Sequence, residues 1–147
     1  MSAVHQENSP RADCIFCKII AGKLPSTKVY EDADTVAFMD IGPVVKGHTL
    51  VVPKTHCDPI TNAPADVLQK TILVVQKIAR AQFKGLGAAA VNVTQANGAL
   101  AGQIVPHLHF HVIPRFEIDG QARNWLPGKY DSPDEMNAFA DRIRKAL

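Results

Sequence analysis

Residues 106–115 read Pro-His-Leu-His-Phe-His-Val-Ile-Pro-Arg, the most regularly patterned stretch of the chain. His107, His109 and His111 alternate strictly with Leu108, Phe110 and Val112. Successive side chains of a strand point to opposite faces, so the spacing predicts a strand with three imidazoles on one face and apolar residues in a core behind them. A small-residue loop at 97–102 precedes it, carrying Gly98 and Gly102, and before that 88–94 (AAAVNVT) reads as another strand. Further back, 65–83 is the clearest helix. Val67, Leu68, Thr71, Ile72, Val75, Ile78, Ala79, Gln82 and Phe83 follow 3/4 spacing, with Asn62 as candidate N-cap and Gly85 as stop.

Towards the N-terminus, 28–31, 35–40 and 48–53 read as short strands, and 15–20 (IFCKII) as one or two helical turns ended by Ala21-Gly22. Beyond the histidines, 133–147 forms a last helix, capped by Ser132 and opened by Asp134 and Glu135. About five strands with hairpin-length connections, one long helix and a C-terminal helix make an α+β fold with an antiparallel sheet, not a βαβ alternation.

With 147 residues the chain fits one domain, read as 13–147 behind a flexible tail at 1–12. Apolar residues make up 46% and charged ones 20%, the ordinary balance of a water-soluble domain. A formal charge of +2, spread along the chain, gives no electrostatic case for nucleic acid. No apolar run approaches the ~20 residues of a membrane span. The polar first 13 residues carry both charge signs and do not read as a secretory signal, so a cytoplasmic protein is expected. Three cysteines, Cys14, Cys17 and Cys57, argue against a disulfide framework.

Three of the chain's six histidines fall within five residues, which sets chance placement on a solvent face aside. One ion held by all three is disfavoured by length. His107 and His111 stand ~13 Å apart along a strand, while each would need a ring nitrogen ~2.0–2.1 Å from the same metal. Catalysis by imidazole itself fits better. Neutral imidazole is a nucleophile, and a phosphorylated ring nitrogen is a good leaving group. One ring can attack phosphorus while the next holds the phosphate oxygens. Asn97 to Gln103 suits that chemistry, because backbone N–H groups of a glycine-bearing loop can approach an anion closely and Gln103 adds an amide. The Cys14-x-x-Cys17 pair lacks the βαβ context of a thioredoxin-like redox motif, and as a zinc site it needs two further ligands.

His107-x-His109-x-His111-x-x with hydrophobic x resembles the signature of the histidine triad (HIT) family. Cys14 to Ile19, Ala37 to Ile41 and Gly47 to Lys54 resemble the family's other blocks in the same order, so the likeness covers about 14–128. It is nearest the branch of bacterial HIT proteins and histidine triad nucleotide-binding proteins. That resemblance implies a hydrolase or transferase acting at the α-phosphate of purine nucleotide derivatives. Nucleoside phosphoramidates such as adenosine monophosphate linked to an amine come first, and dinucleoside polyphosphates second. His109 would be the nucleophile, passing through a covalent nucleotidyl-histidine. His111 would hold the phosphate oxygens, and His48 would complete the cluster by orienting His109. Asp40 would bind the ribose, Asn97, Gly102 and Gln103 the phosphate side, and Ile15, Phe16, Ile19, Phe38 and Ile41 the base.

The resemblance also completes the metal set with His56 and His107, giving Cys14, Cys17, His56 and His107 around a structural zinc, with Cys57 outside it. It implies a homodimer. Ala96 and Ile104 depart from the family, which commonly has Asn or Gln at the first position and Ser or Thr at the second. They are the only support for a competing reading, a zinc-stabilised nucleotide- or partner-binding module with negligible turnover. Trp125, with Pro127 and Gly128, resembles the nucleotide-binding branch near the leaving-group side.

Overall fold

The computed structural model describes residues 10–121 and 125–147, so residues 1–9 of the expected tail, His5 among them, lie outside the described residues. Eight elements follow in order: α1 (Ile15–Ile20), β1 (Lys28–Glu31), β2 (Thr35–Met39), β3 (Thr49–Pro53), α2 (Ala65–Leu86), β4 (Ala90–Thr94), β5 (Phe110–Arg115) and α3 (Pro133–Ala146). The strands form one antiparallel sheet in the order β1-β2-β3-β5-β4. This is the expected α+β class.

Alternation along the central strands divides the interior in two. Ala37, Met39, Val51, Leu108, Phe110 and Val112 face α2 and α3, packing on Val74, Val75, Ile78, Ala140 and Ile143. Val36, Phe38, Leu50 and Val52 point the other way and are covered by α1 through Phe16, Cys17 and Ile19. β2 and β3 are therefore buried along their whole length. That explains their near-continuous apolar sequence.

Several details differ from the sequence reading. The ladder of β5 starts at Phe110 rather than 106, because Leu108 N–H donates to the carbonyl of Cys57 and His107 N–H to that of Val105. The alternation nevertheless persists, with Leu108 under α2 and the rings of His107 and His109 against Phe16 on the other face. Helix α2 begins at Ala65 as expected, but its N-cap is Pro64 and not Asn62, whose amide donates to the carbonyl of Asp58. It runs past Gly85 to a left-handed Gly87 (φ 66°). Gly85 is needed for a close helix crossing, since a Cβ there would sit 2.4 Å from the Arg142 carbonyl oxygen and 2.8 Å from Ala146 Cβ. The buried face of α2 carries Thr71, Val74, Val75, Ile78, Ala81, Gln82 and Leu86, whereas Ile72 and Phe83 are exposed. Ser132 caps α3 as expected, its Oγ accepting from Glu135 N–H at 3.1 Å. No helix among the described residues is long and apolar enough to cross a membrane.

Candidate functional site

On the α1 side of the sheet, His109 and His111 stand with ring centroids 4.9 Å apart, and His48 lies 5.1 Å from His111. Residue pairing explains the cluster. Leu50 is paired with His111 in the ladder, and His48 lies just beyond the start of β3. The hydrogen bonds settle which ring nitrogens carry protons. Nδ1 of His109 is 2.7 Å from the carbonyl oxygen of His107, which can only accept. A neutral His109 thus has its proton on Nδ1 and a lone pair on Nε2.

The neighbouring pair has the opposite arrangement. Val44 N–H donates to Nδ1 of His48 at 3.1 Å, so a neutral His48 carries its proton on Nε2. That Nε2–H donates to Nδ1 of His111 at 2.9 Å, leaving His111 with a proton on its own Nε2. Burial pushes all three rings below the ordinary histidine value, His111 to about 4, so they are neutral at pH 7. A lone pair and an N–H donor therefore stand on adjacent rings. The expected bond from His48 to His109 is not formed: the His107 carbonyl orients His109, and His48 orients His111.

Asp40 caps this group. Its Oδ1 accepts from Gly42 N–H at 2.8 Å, and its Oδ2 lies 3.5 Å from Nε2 of His48. Although Asp40, His48 and His111 gather three potential ligand atoms, the facing nitrogens of the two histidines are already joined by their hydrogen bond. Of the five apolar residues expected around a base, Phe16, Ile19 and Phe38 are core. Ile15 and Ile41 are 50% and 82% exposed. Phe16 meets the His109 ring edge-to-face at 5.0 Å and the Phe38 ring at 5.5 Å.

The loop before β5 is held by Gln103. Its Oε1 accepts from Gly98 N–H at 2.6 Å, while its Nε2 donates to Asp58 Oδ1 at 2.7 Å and to the Val105 carbonyl at 3.0 Å. Both amide hydrogens are thereby used within the protein. Asn97 is engaged with Gln95 and with Ile60 N–H, and Gly102 is exposed at φ 94°. Asp58 and the Val44 amide were not found from sequence. An Asp-Pro pair signals only a turn, and a backbone N–H has no side-chain signature.

Cys14, Cys17, His56 and His107 come together as a second, fully buried group. Cys14 Sγ is 3.4 Å from His107 Nδ1, Cys17 Sγ is 3.3 Å from His56 Nδ1 and 3.6 Å from His107 Nδ1, and the two Nδ1 atoms are 3.1 Å apart. Ligands 2.0–2.3 Å from one tetrahedral centre stand about 3.3–3.8 Å from each other, so this set fits a zinc ion. Nε2–H of His107 donates to the Pro53 carbonyl at 2.8 Å, which leaves its Nδ1 lone pair aimed into the cluster. His109 is not part of this group, and Cys57 is fully buried elsewhere with its thiol pushed up to about 11.

Comparison with known proteins adds to the geometry. The HIT domain family matches residues 21–118. Protein hit of Bacillus subtilis is 43% identical over 140 residues, covering 92% of this chain and 94% of its own length. An adenosine 5'-monophosphoramidase of Candida albicans is 37% identical over 144 residues, covering 92% of each. Among solved structures, a Hit-like protein from Bartonella henselae matches with a TM-score of 0.85 at 41% identity, over 93% of this chain and 98% of that one. A zinc-bound histidine triad family protein from Mycobacterium smegmatis matches with a TM-score of 0.80 at 36% identity, over 91% and 92%.

Proposed function

The chain belongs to the histidine triad (HIT) family, and on that premise we propose that it is a nucleotide hydrolase that cleaves nucleoside phosphoramidates at the α-phosphate through a covalent nucleotidyl-His109. One observation carries the reading: the bond from His109 Nδ1–H to the His107 carbonyl leaves Nε2 as a bare nucleophile. That lone pair attacks the α-phosphorus, the P–N bond to the amine breaks, and the amine departs with a proton drawn from solvent, since Ile104 offers no hydroxyl. His109 then carries the nucleotidyl group on Nε2 and a proton on Nδ1, a cationic ring whose charge the His107 carbonyl stabilises. Water attacks the same phosphorus, Nε2 leaves, and one proton passes to solvent.

His111 presents its Nε2–H to a non-bridging phosphate oxygen, and His48 keeps that donor in place by donating to Nδ1. Asp40, part-exposed beside them, receives the ribose hydroxyls. Gln103 acts by shaping the 97–103 loop, whose Gly98, Ala101, Gly102 and Gln103 N–H groups are bonded within the loop. Ile15 and Ile41, being exposed, are the members of the apolar set free to touch a base, with Phe16 behind the nucleophile.

Zinc in the Cys14, Cys17, His56, His107 set would be structural, closing four ligands and fixing His107, whose carbonyl orients His109. The edge strand β4, with Val93 exposed, and the exposed Ile72, Leu73 and Phe83 of α2 support a homodimer. Incubation with an adenosine phosphoramidate, acid-free quenching and mass spectrometry test the central claim. The expected product is an adenylyl adduct on His109. Steady release of the amine with no adduct and full activity in His109→Ala would remove the claim, and preferential cleavage of a dinucleoside polyphosphate would reassign the substrate.

A further inference from the structure

Gln82 lies on the sheet-facing stripe of α2, one turn before its C-terminal end, fully buried, at a position where methionine or leucine would fill the space. Its Nε2 donates twice, to the Gly47 carbonyl at 3.1 Å and to the Val112 carbonyl at 2.8 Å. Its Oε1 has no partner among the described residues. A buried amide with an orphaned acceptor carries a desolvation cost that an apolar side chain would not. Packing alone therefore does not account for a glutamine here, whereas its two donors do.

The two carbonyls flank the histidine pair. Gly47 immediately precedes His48, and Val112 immediately follows His111. Between them, on the other face of the sheet, His48 Nε2 and His111 Nδ1 are 2.9 Å apart. Gly47 is fixed by further contacts. Its N–H donates to the Tyr130 hydroxyl at 2.9 Å, and its carbonyl also accepts from Thr49 Oγ1 at 2.9 Å. It has φ +105°, and a Cβ would lie 2.6 Å from Leu86 Cδ1 and 2.9 Å from Pro114 Cγ. The Gly47 carbonyl before His48 thus accepts from both Thr49 and Gln82, and Gln82 ties it to β5.

We propose that Gln82 is a positioning residue for the His48–His111 couple: from behind the sheet its amide locks residues 47 and 112 at the separation that lets His48 hold His111 as a hydrogen-bond donor. The proposal rests on the hydrolase reading only for its kinetic consequence, since the state of the rings can be read without any substrate. His109 is oriented independently, through His107.

The test uses ring ¹⁵N shifts of the full chain. Wild type is expected to show a protonated Nε2 on both His48 and His111 and a protonated Nδ1 on His109. In Gln82→Met the His48 and His111 signals should shift towards a tautomer mixture while those of His109 stay put, and kcat on the phosphoramidate should fall roughly 10- to 100-fold with KM changed less than about threefold. Thr71→Val, which removes another buried polar group of α2, serves as the control for lost stability and should leave the ring signals unchanged. Gln82→Glu, keeping the shape and one donor when protonated, should lie between. A folded Met or Glu variant with the wild-type ring pattern overturns the proposal, as does the absence in wild type of couplings across the hydrogen bonds from Gln82 Nε2 to the Gly47 and Val112 carbonyl carbons. If wild type hydrolyses nothing, the hydrolase reading fails while the ring pattern still decides the role of Gln82.

Discussion

His107 and His109 are joined by a hydrogen bond from the ring of the second to the backbone of the first, Nδ1 to carbonyl oxygen, at 2.7 Å. The same His107 turns its own ring into the Cys14, Cys17, His56 cluster. One residue thus belongs to the candidate metal centre by its side chain and to the candidate nucleophile by its main chain.

Replacing the nucleophile should be the most damaging single change. His109→Ala is expected to abolish the covalent adduct and lower kcat by roughly 10⁴-fold or more, the scale seen when nucleophiles are removed. His109→Gln should do no better. Initial rates and intact mass after quenching check both, and a residual adduct in either variant would place the reactive nitrogen elsewhere.

The metal cluster makes a separate prediction. Protein purified without chelators should hold about one equivalent of zinc per chain by atomic emission, and Cys17→Ala should hold far less. A buried ligand set left open exposes donors that nothing else satisfies, so stability should fall by about 3 kcal/mol or more. For a chain of this size that is a drop of roughly 6–12 °C in Tm. Unchanged zinc content in Cys17→Ala would remove Cys17 from the set.

How much of this was legible in the sequence depends on how local each feature is. The period of two at 107–112 showed which side chains share a face, because strand geometry fixes it without tertiary help. The start of β5 was missed, since the N–H groups of His107 and Leu108 bond to Val105 and to distant Cys57 rather than to a neighbouring strand. Gln82 fell on the apolar stripe of α2, but its donors reach residues 47 and 112, a pairing that no spacing encodes. The cysteine pair named a chemistry but needed the resemblance to supply His56 and His107, which lie 39 and 90 residues beyond Cys17. Gly85 read as a stop because glycine usually ends helices; here it lets α3 cross closely.

Stability should depend on pH through the buried rings. Burial lowers His111 to about 4 in the folded protein, and the unfolded chain titrates near 6.5. Between those values the unfolded state binds more protons, so the stabilisation is complete above about 6.5 and is lost as the pH falls towards 4. Urea midpoints at pH 7.5, 5.5 and 4.5 should decline in that order, and His111→Asn should flatten part of the decline. A midpoint that stays level across this window would show that His111 is not held neutral by burial.

The crossing of α2 and α3 supplies a test away from the histidines. In an unhindered helix interior, Gly85→Ala would gain up to about 1 kcal/mol from helix propensity. Here the new Cβ would meet the Arg142 carbonyl oxygen at 2.4 Å and Ala146 Cβ at 2.8 Å, and a backbone oxygen cannot rotate away. Overpacking of that kind costs about 1–3 kcal/mol, so the clash outweighs the propensity gain. Helix α2 is held by the sheet and by Gln82, so α3 should yield, weakening the bonds from Arg142 to the Gly85 and Leu86 carbonyls, both 3.2 Å. The expected outcome is a lower Tm with phosphoramidate turnover at 25 °C near wild type. A Tm at or above wild type would show that the crossing is looser than these distances require.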